Sequence, residues 1–225
     1  MGALKQLAGQ TAVYGLSSIL GRILNYLLVP LYTRVFLPHE AAIYVELYAY
    51  MAFLAVLLTY GMETAFFRFS ETHKDPDKVY STTLVSLLMS TGLFLFLSLS
   101  FRNTIAGMLG YEGKTEYIIY FVLILGLDAL SAIPFARLRA RNKAWQFALI
   151  RLVNIGVNIG FNLLLILAVP WLYRQQGWHG LSFLTDGEAK VSAIFLSNLV
   201  ASLVTLVLLL PGFREVKLYF DRELW

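Results

Sequence analysis

Two arginines of this sequence stand inside apolar stretches long enough to cross a membrane. Arg22 lies in GRILNYLLVPLYTR, residues 21–34, and Arg151 lies in an apolar run that begins near Trp145. A charged side chain at membrane depth is costly, so it usually faces a protein interior or a water-filled cavity and marks a functional site. The two arginines therefore predict a polar cavity inside a membrane-embedded bundle.

A polar stripe continues from the second arginine along the same predicted helix. Its members are Arg151, Asn154, Asn158 and Asn162. Spacings of three, four and four residues place them on one helical face. Two interpretations stay open, because the asparagines either hydrogen-bond neighbouring helices to one another or line the cavity. The arginine at the head of the stripe favours the cavity, and Asn25 is assigned to the same cavity as Arg22.

An acidic residue lies at a depth that matches Arg151. Asp128 precedes Arg137 by nine residues, and Arg151 follows Lys143 by eight. At a helical rise of about 1.5 Å per residue, both side chains lie roughly 12–14 Å from the same membrane surface. The sequence therefore predicts an ion pair between Asp128 and Arg151, since opposite charges at one depth relieve each other's desolvation.

Two further residues are assigned special roles in the predicted helices. Glu63 lies near a helix end, where it snorkels to the interface or pairs with Arg68, with proton relay as the alternative. Asp128 and Glu63 are thus the candidates for charge pairing or energy coupling. Pro30 removes a backbone hydrogen bond and is the predicted hinge of the first helix.

The elements that position these side chains predict an all-α integral membrane protein. Of the 225 residues 58% are hydrophobic, whereas an average soluble domain is about 45–50% apolar. Six runs reach the roughly 20 apolar residues that a bilayer requires. These spans are predicted at residues 7–36, 41–67, 79–101, 117–135, 145–172 and 191–210. Residues 1–212 would form one six-helix bundle, with an amphipathic cytoplasmic tail or linker at 213–225.

The basic residues of the chain are explained by membrane topology. The formal net charge is +4, and the lysines and arginines concentrate in segments on one predicted side, which places both termini in the cytoplasm. No nucleic-acid partner is therefore expected, and membrane lipids are the surroundings. The run RLRARNK at residues 137–143 is interpreted as a cytoplasmic turn, with recognition of anionic lipid or of a partner as the alternative.

Catalysis and metal binding find no support in the sequence. Cysteine is absent, and the histidines at 39, 73 and 179 fall in predicted loops without metal-ligand spacing. No nucleophile elbow, phosphate-binding loop or dinucleotide fingerprint is present. We therefore expect no enzyme activity, no cofactor and no metal.

Two stretches resemble the polysaccharide flippases of the Wzx or RfbX (O-antigen) type in the MATE-like MOP flippase superfamily. Residues 21–69 resemble its first two helices and read GRILNYLLVPLYTRVFLPHEAAIYVELYAYMAFLAVLLTYGMETAFFRF. Residues 129–165 resemble its spans 4 and 5 and read ALSAIPFARLRARNKAWQFALIRLVNIGVNIGFNLLL. The similarity is one of pattern, extends over nearly the whole chain and contains no catalytic signature.

The resemblance implies one six-helix lobe of a transporter that faces a second six-helix lobe across a central cavity. The family's cargo is an oligosaccharide attached through pyrophosphate to a polyprenyl lipid, flipped across the bacterial cytoplasmic membrane for surface polysaccharide or lipopolysaccharide biosynthesis. Arg22 and Arg151 match cationic cavity positions, and a guanidinium binds phosphate through its planar fork. Arg22 is the expected headgroup contact, and Arg151 the expected structural charge.

The sequence departs from the family in its six spans, where a complete transporter has about twice as many. We expect an N-terminal half with its second lobe elsewhere, and the alternative is a pair of identical copies. A drug or cation antiporter of the same fold would need acids in the first helix, where only Arg22 is found. A membrane-embedded transferase would need acidic or histidine clusters at the interface, and a noncatalytic scaffold would need no buried charges.

Overall fold

The computed structural model describes residues 13–17, 19–20, 23–24, 26, 28–171 and 189–214. Regular secondary structure within these ranges is helical throughout, with no strand. The helices are α1 (Val29–Val35), α2 (Pro38–Thr59), α3 (Met62–Thr72), α4 (Pro76–Ser100), α5 (Arg102–Met108), α6 (Thr115–Ala140), α7 (Ala144–Leu163) and α8 (Ala189–Arg214), with a π-helical turn at Leu164–Ala168. The all-α class predicted from the sequence is confirmed for this part of the chain.

Five of the described helical segments are long and apolar enough to cross a membrane. They are Pro38–Thr72, Pro76–Ser100, Thr115–Ala140, Ala144–Trp171 and Lys190–Phe213. Each coincides with one of the predicted spans 2 to 6, which is consistent with a multi-pass membrane protein. Most of the first predicted span, residues 7–36, lies outside the described residues, so the count of six is not confirmed.

The bundle is built around α6, which is the most buried of the five long helices. It packs against α8, α4 and α2, and more weakly against α3, α5 and α7. The helix lies close to α4 at Gly126, where an added Cβ would lie only 2.7 Å from Leu95 Cδ2. A central helix that contacts its neighbours on several sides can present polar side chains to a cavity between them.

The second long segment is broken, although the sequence predicted a single helix over residues 41–67. Tyr60 and Gly61 both adopt left-handed backbone conformations, with φ values of 33° and 73°, and they separate α2 from α3. The Tyr60 hydroxyl lies 2.8 Å from Ser86 Oγ of α4. Glycine reaches this conformation at little cost, so Gly61 allows the chain to change direction within the predicted span.

Pro30 lies in the first turn of α1, which follows Leu28. A proline there loses no helical hydrogen bond, because the first N–H groups of a helix have no intrahelical partner. The structure therefore explains why Pro30 is tolerated. The segment before it contains residues outside the described ranges, so the predicted hinge stays a prediction.

Candidate functional site: a polar cavity between four helices

A polar cavity of about 290 Å³ lies between α3, α6, α7 and α8. It is lined by Glu63, Asp128, Ser131, Ala132, Phe135, Arg139, Arg151, Asn154, Asn198, Ser202 and Thr205. Two acids, two arginines, two amides and three hydroxyls thus meet between helices that are otherwise apolar. Polar groups at this density within membrane-length helices mark a site rather than packing alone.

Glu63 pairs with Arg139 of α6 at the edge of the cavity. The ion pair joins Arg139 Nη2 to Glu63 Oε1, and both side chains are partly exposed. The Arg139 guanidinium also lies 5.3 Å from the ring centre of Phe67. Pairing of Glu63 with Arg68, which the sequence favoured, is not seen among the described residues. The reason is the fold, which brings α6 alongside α3 over a separation of 76 residues.

Asp128 and Arg151 line the same cavity, but no ion pair within 4.0 Å joins them in the described part of the chain. Ser202 of α8 instead donates a hydrogen bond of 2.7 Å to Asp128 Oδ1. The predicted direct contact is therefore not observed, although the two side chains share one cavity and their charges interact across it. The helical rise predicts the depth of a side chain, but it predicts neither the direction of that side chain nor the hydrogen bond from Ser202 of α8 to Asp128.

Arg151 lies with its guanidinium against aromatic rings. The Cζ atom is 4.7 Å from the ring centre of Phe135 and 5.8 Å from that of Phe147. The residue is exposed, and its side chain makes no hydrogen bond or ion pair with any residue that the structure describes. Cation–π contact leaves the N–H groups of a guanidinium free to donate. Arg151 thus has N–H donors available to the cavity, and its charge interacts with the nearby carboxylates of Asp128 and Glu63 without a direct contact.

The asparagine stripe divides between the two interpretations that the sequence left open. Asn154 lines the cavity and donates to Thr205 Oγ1 at 2.9 Å. Asn162 is fully buried, accepts from the Tyr32 hydroxyl at 2.8 Å, and donates to Asn158 O and Oδ1 at 2.8 and 2.9 Å. Asn162 therefore connects α7 to α1, and Asn158 holds the Asn162 side chain from within α7, whereas Asn154 and Arg151 face the cavity.

Arg22 and Asn25, the other two cavity residues predicted from the sequence, lie outside the described residues. Their assignment to the cavity stays a prediction.

A second polar face, on α8, was not predicted from the sequence. Its members Asn198, Ser202 and Thr205 are spaced four and three residues apart, the same signal that identified the stripe on α7. Asn198 donates to the hydroxyl of Tyr48 at 3.0 Å. Arg139 was missed as a site residue because it lies in a run that was interpreted as a turn. Its Nε atom is buried without a hydrogen-bond partner among the described residues.

The described residues contain no group of three or more histidine, cysteine, aspartate or glutamate side chains that could hold a metal ion. Comparison with family models, with curated proteins and with solved structures finds no match for this chain. The residues of the cavity are therefore the basis on which a function can be assigned to this chain.

Proposed function

We propose that this chain is one lobe of a transporter that flips a polyprenyl-pyrophosphate-linked oligosaccharide across the cytoplasmic membrane of a bacterium. The observation that carries the proposal is the guanidinium of Arg151, which faces the cavity and makes no hydrogen bond or ion pair within 4.0 Å among the described residues. Its planar fork is suited to phosphate oxygens, and it keeps its charge at any physiological pH.

The carboxylates of the cavity support this proposal because each already has a partner. Glu63 is paired with Arg139, and Asp128 accepts a hydrogen bond from Ser202. Glu63 is thus neutralised by Arg139, and an anionic headgroup that enters the cavity would compete with Asp128 for the guanidinium of Arg151. Asn198 and Arg139 also line this space.

A second lobe completes the site in this proposal. Asp128 and Arg151 are both exposed in the described bundle, even though they lie within membrane-length helices. Charged side chains in this position require either a water-filled cavity or a polar partner. A second six-helix lobe facing them would enclose the cargo headgroup, and alternate opening of the two lobes would move it without any chemical step.

A drug or cation antiporter of the same fold is the second candidate. The observation that favours it is the presence of two acids, Asp128 and Glu63, in the cavity. Its cargo would be held by these carboxylates, whereas Arg151 would repel it. The two candidates therefore make opposite predictions for the substitutions Arg151→Gln and Asp128→Asn.

The test uses cells whose surface polysaccharide depends on the full-length protein. Arg151→Gln is expected to lower the amount of surface polysaccharide by tenfold or more, since a charge-assisted hydrogen bond contributes about 1.5–3 kcal/mol. Arg68→Gln is the matched control, because Arg68 is exposed and lies outside the cavity. Immunoblots of membranes establish that both variants insert at the level of the unaltered protein.

Normal polysaccharide in the Arg151→Gln variant would refute the proposal. Loss of resistance to cationic drugs in Asp128→Asn, with polysaccharide unchanged in both cavity variants, would establish the antiporter instead.

A further inference from the structure

A second cavity lies at the turn between α6 and α7, beside the end of α8. Its volume is about 290 Å³, and no residue lines both this cavity and the polar cavity. Arg137, Arg141 and Lys143 provide its charged side, and Leu149, Leu208 and Leu209 provide much of its apolar wall. We name it the basic groove.

The basic groove carries an excess of positive charge. No carboxylate lines it among the described residues. Asp77 approaches from outside, with Oδ1 accepting from Arg137 Nη2 at 2.7 Å and from Arg141 Nη2 at 3.0 Å. The charged residues that line the groove are therefore all cations in the described part of the chain. The Lys143 ammonium makes no hydrogen bond or ion pair with any residue in the described ranges.

Hydrogen bonds between three helices hold the floor of the groove in place. Tyr80 and Arg137 both donate to the backbone oxygen of Gly212, at 3.1 and 3.3 Å. The Arg137 guanidinium also lies 3.9 Å from the ring centre of Tyr80. These contacts join α4, α6 and α8, so the groove is preorganised.

The surroundings of the groove place it at the boundary between membrane and water. Trp145, two residues after Lys143, is 77% exposed, and exposed tryptophan concentrates at bilayer interfaces. One turn deeper, Leu149 is 61% exposed, and Leu208 of α8 is 42% exposed. Cationic, aromatic and aliphatic side chains thus follow one another with increasing depth, the order in which a phospholipid presents its phosphate, glycerol and acyl chains.

We propose that the basic groove binds an anionic phospholipid of the adjoining leaflet. Its phosphate contacts Lys143 and Arg141, and one acyl chain lies along Leu149 and Leu208. Charge complementarity selects the headgroup, and the apolar wall selects a membrane lipid over free phosphate. This site is separate from the transport cavity, and its occupation does not depend on which cargo the protein moves.

The test measures lipid selectivity at Trp145 in the full-length chain. Trp171, Trp178 and Trp225 are replaced by phenylalanine, and the protein is placed in bilayers that contain brominated phosphatidylglycerol or brominated phosphatidylcholine, which quench nearby tryptophan. We expect phosphatidylglycerol to be preferred, and Lys143→Gln to lower that preference about fivefold, the equivalent of about 1 kcal/mol for one charge near the surface.

Lys74→Gln is the matched control, since it removes the same charge from an exposed position outside the groove. Excess inorganic phosphate should leave the quenching unchanged, which separates a lipid site from a free-phosphate site. Retention of each lipid in native mass spectrometry gives the same comparison with all four tryptophans in place.

Equal quenching by the two lipids would overturn the proposal. The same result is expected if the segment of the chain after residue 214 occupies the groove in place of a lipid. An equal loss of preference in Lys143→Gln and Lys74→Gln would also overturn it, because the selectivity would then reflect general surface charge.

Discussion

Replacement of Asn162 by alanine is predicted to destabilise the bundle by about 1–3 kcal/mol, the cost of leaving a buried polar partner unsatisfied. The side chain is fully buried and its Oδ1 accepts from the Tyr32 hydroxyl at 2.8 Å. Tyr32 is itself 8% exposed, so its hydroxyl would lose its partner inside the protein. The amide nitrogen of Asn162 donates to Asn158, which lies in the same helix.

The interhelical part of this cost comes from the hydrogen bond between Tyr32 and Asn162, which joins α1 to α7. Hydrogen bonds between membrane helices contribute about 0.6 kcal/mol on average and at most about 1.7 kcal/mol. Tyr32→Phe removes the donor and should cost an amount in that range. The double variant should be less destabilised than the sum of the two single variants by a similar amount, because the second change removes a partner that is already lost.

The assay is reversible unfolding in mixed micelles by titration with dodecyl sulfate, followed by circular dichroism. All four members of the cycle are measured under one condition, so that micelle effects cancel. Additive effects of Tyr32→Phe and Asn162→Ala, to within about 0.3–0.5 kcal/mol, would refute the conclusion that Asn162 connects helices.

Two other substitutions test the local structure around the helix ends. Gly61→Ala should destabilise the protein by about 1–2 kcal/mol, because Gly61 has a φ of 73° and an L side chain is strained there; Gly92→Ala, in a helix with open space around it, should be neutral or stabilising in the same unfolding assay. Asp75→Ala should cost about 1 kcal/mol, since the carboxylate accepts from the N–H groups of Asp77 and Lys78 at the start of α4. Asp75→Asn keeps an acceptor and should restore most of the loss; equal loss in both would contradict the capping role.

The long helices could be predicted from the sequence because membrane crossing demands about 20 apolar residues. Predicted spans 2 to 6 each match a helix for that reason. The break after Tyr60 could not be predicted, since a lone glycine in an apolar run is usually tolerated within a helix. The left-handed φ values of Tyr60 and Gly61 show the break, and the Tyr60 hydroxyl contacts Ser86 of α4 there.

The sequence predicted a polar cavity, but it did not predict which side chains pair with one another inside it. Arg151 and Asn154 were found because one helical face repeats every three or four residues. The partners Arg139 for Glu63 and Ser202 for Asp128 come from helices more than 70 residues away. Helical periodicity predicts which residues share a face, but it does not predict which faces of separate helices meet.

The central claim is that Arg151 holds an anionic headgroup, and binding of purified protein to a polyprenyl pyrophosphate tests it most directly. The uncharged polyprenyl alcohol of equal chain length is the comparator, and Lys143→Gln controls for the separate basic groove. We predict that the protein prefers the pyrophosphate by at least about tenfold, the effect of a charge-assisted hydrogen bond, and that Arg151→Gln removes this preference while Lys143→Gln keeps it. Equal binding of the two lipids, or an undiminished preference in Arg151→Gln, would contradict the account.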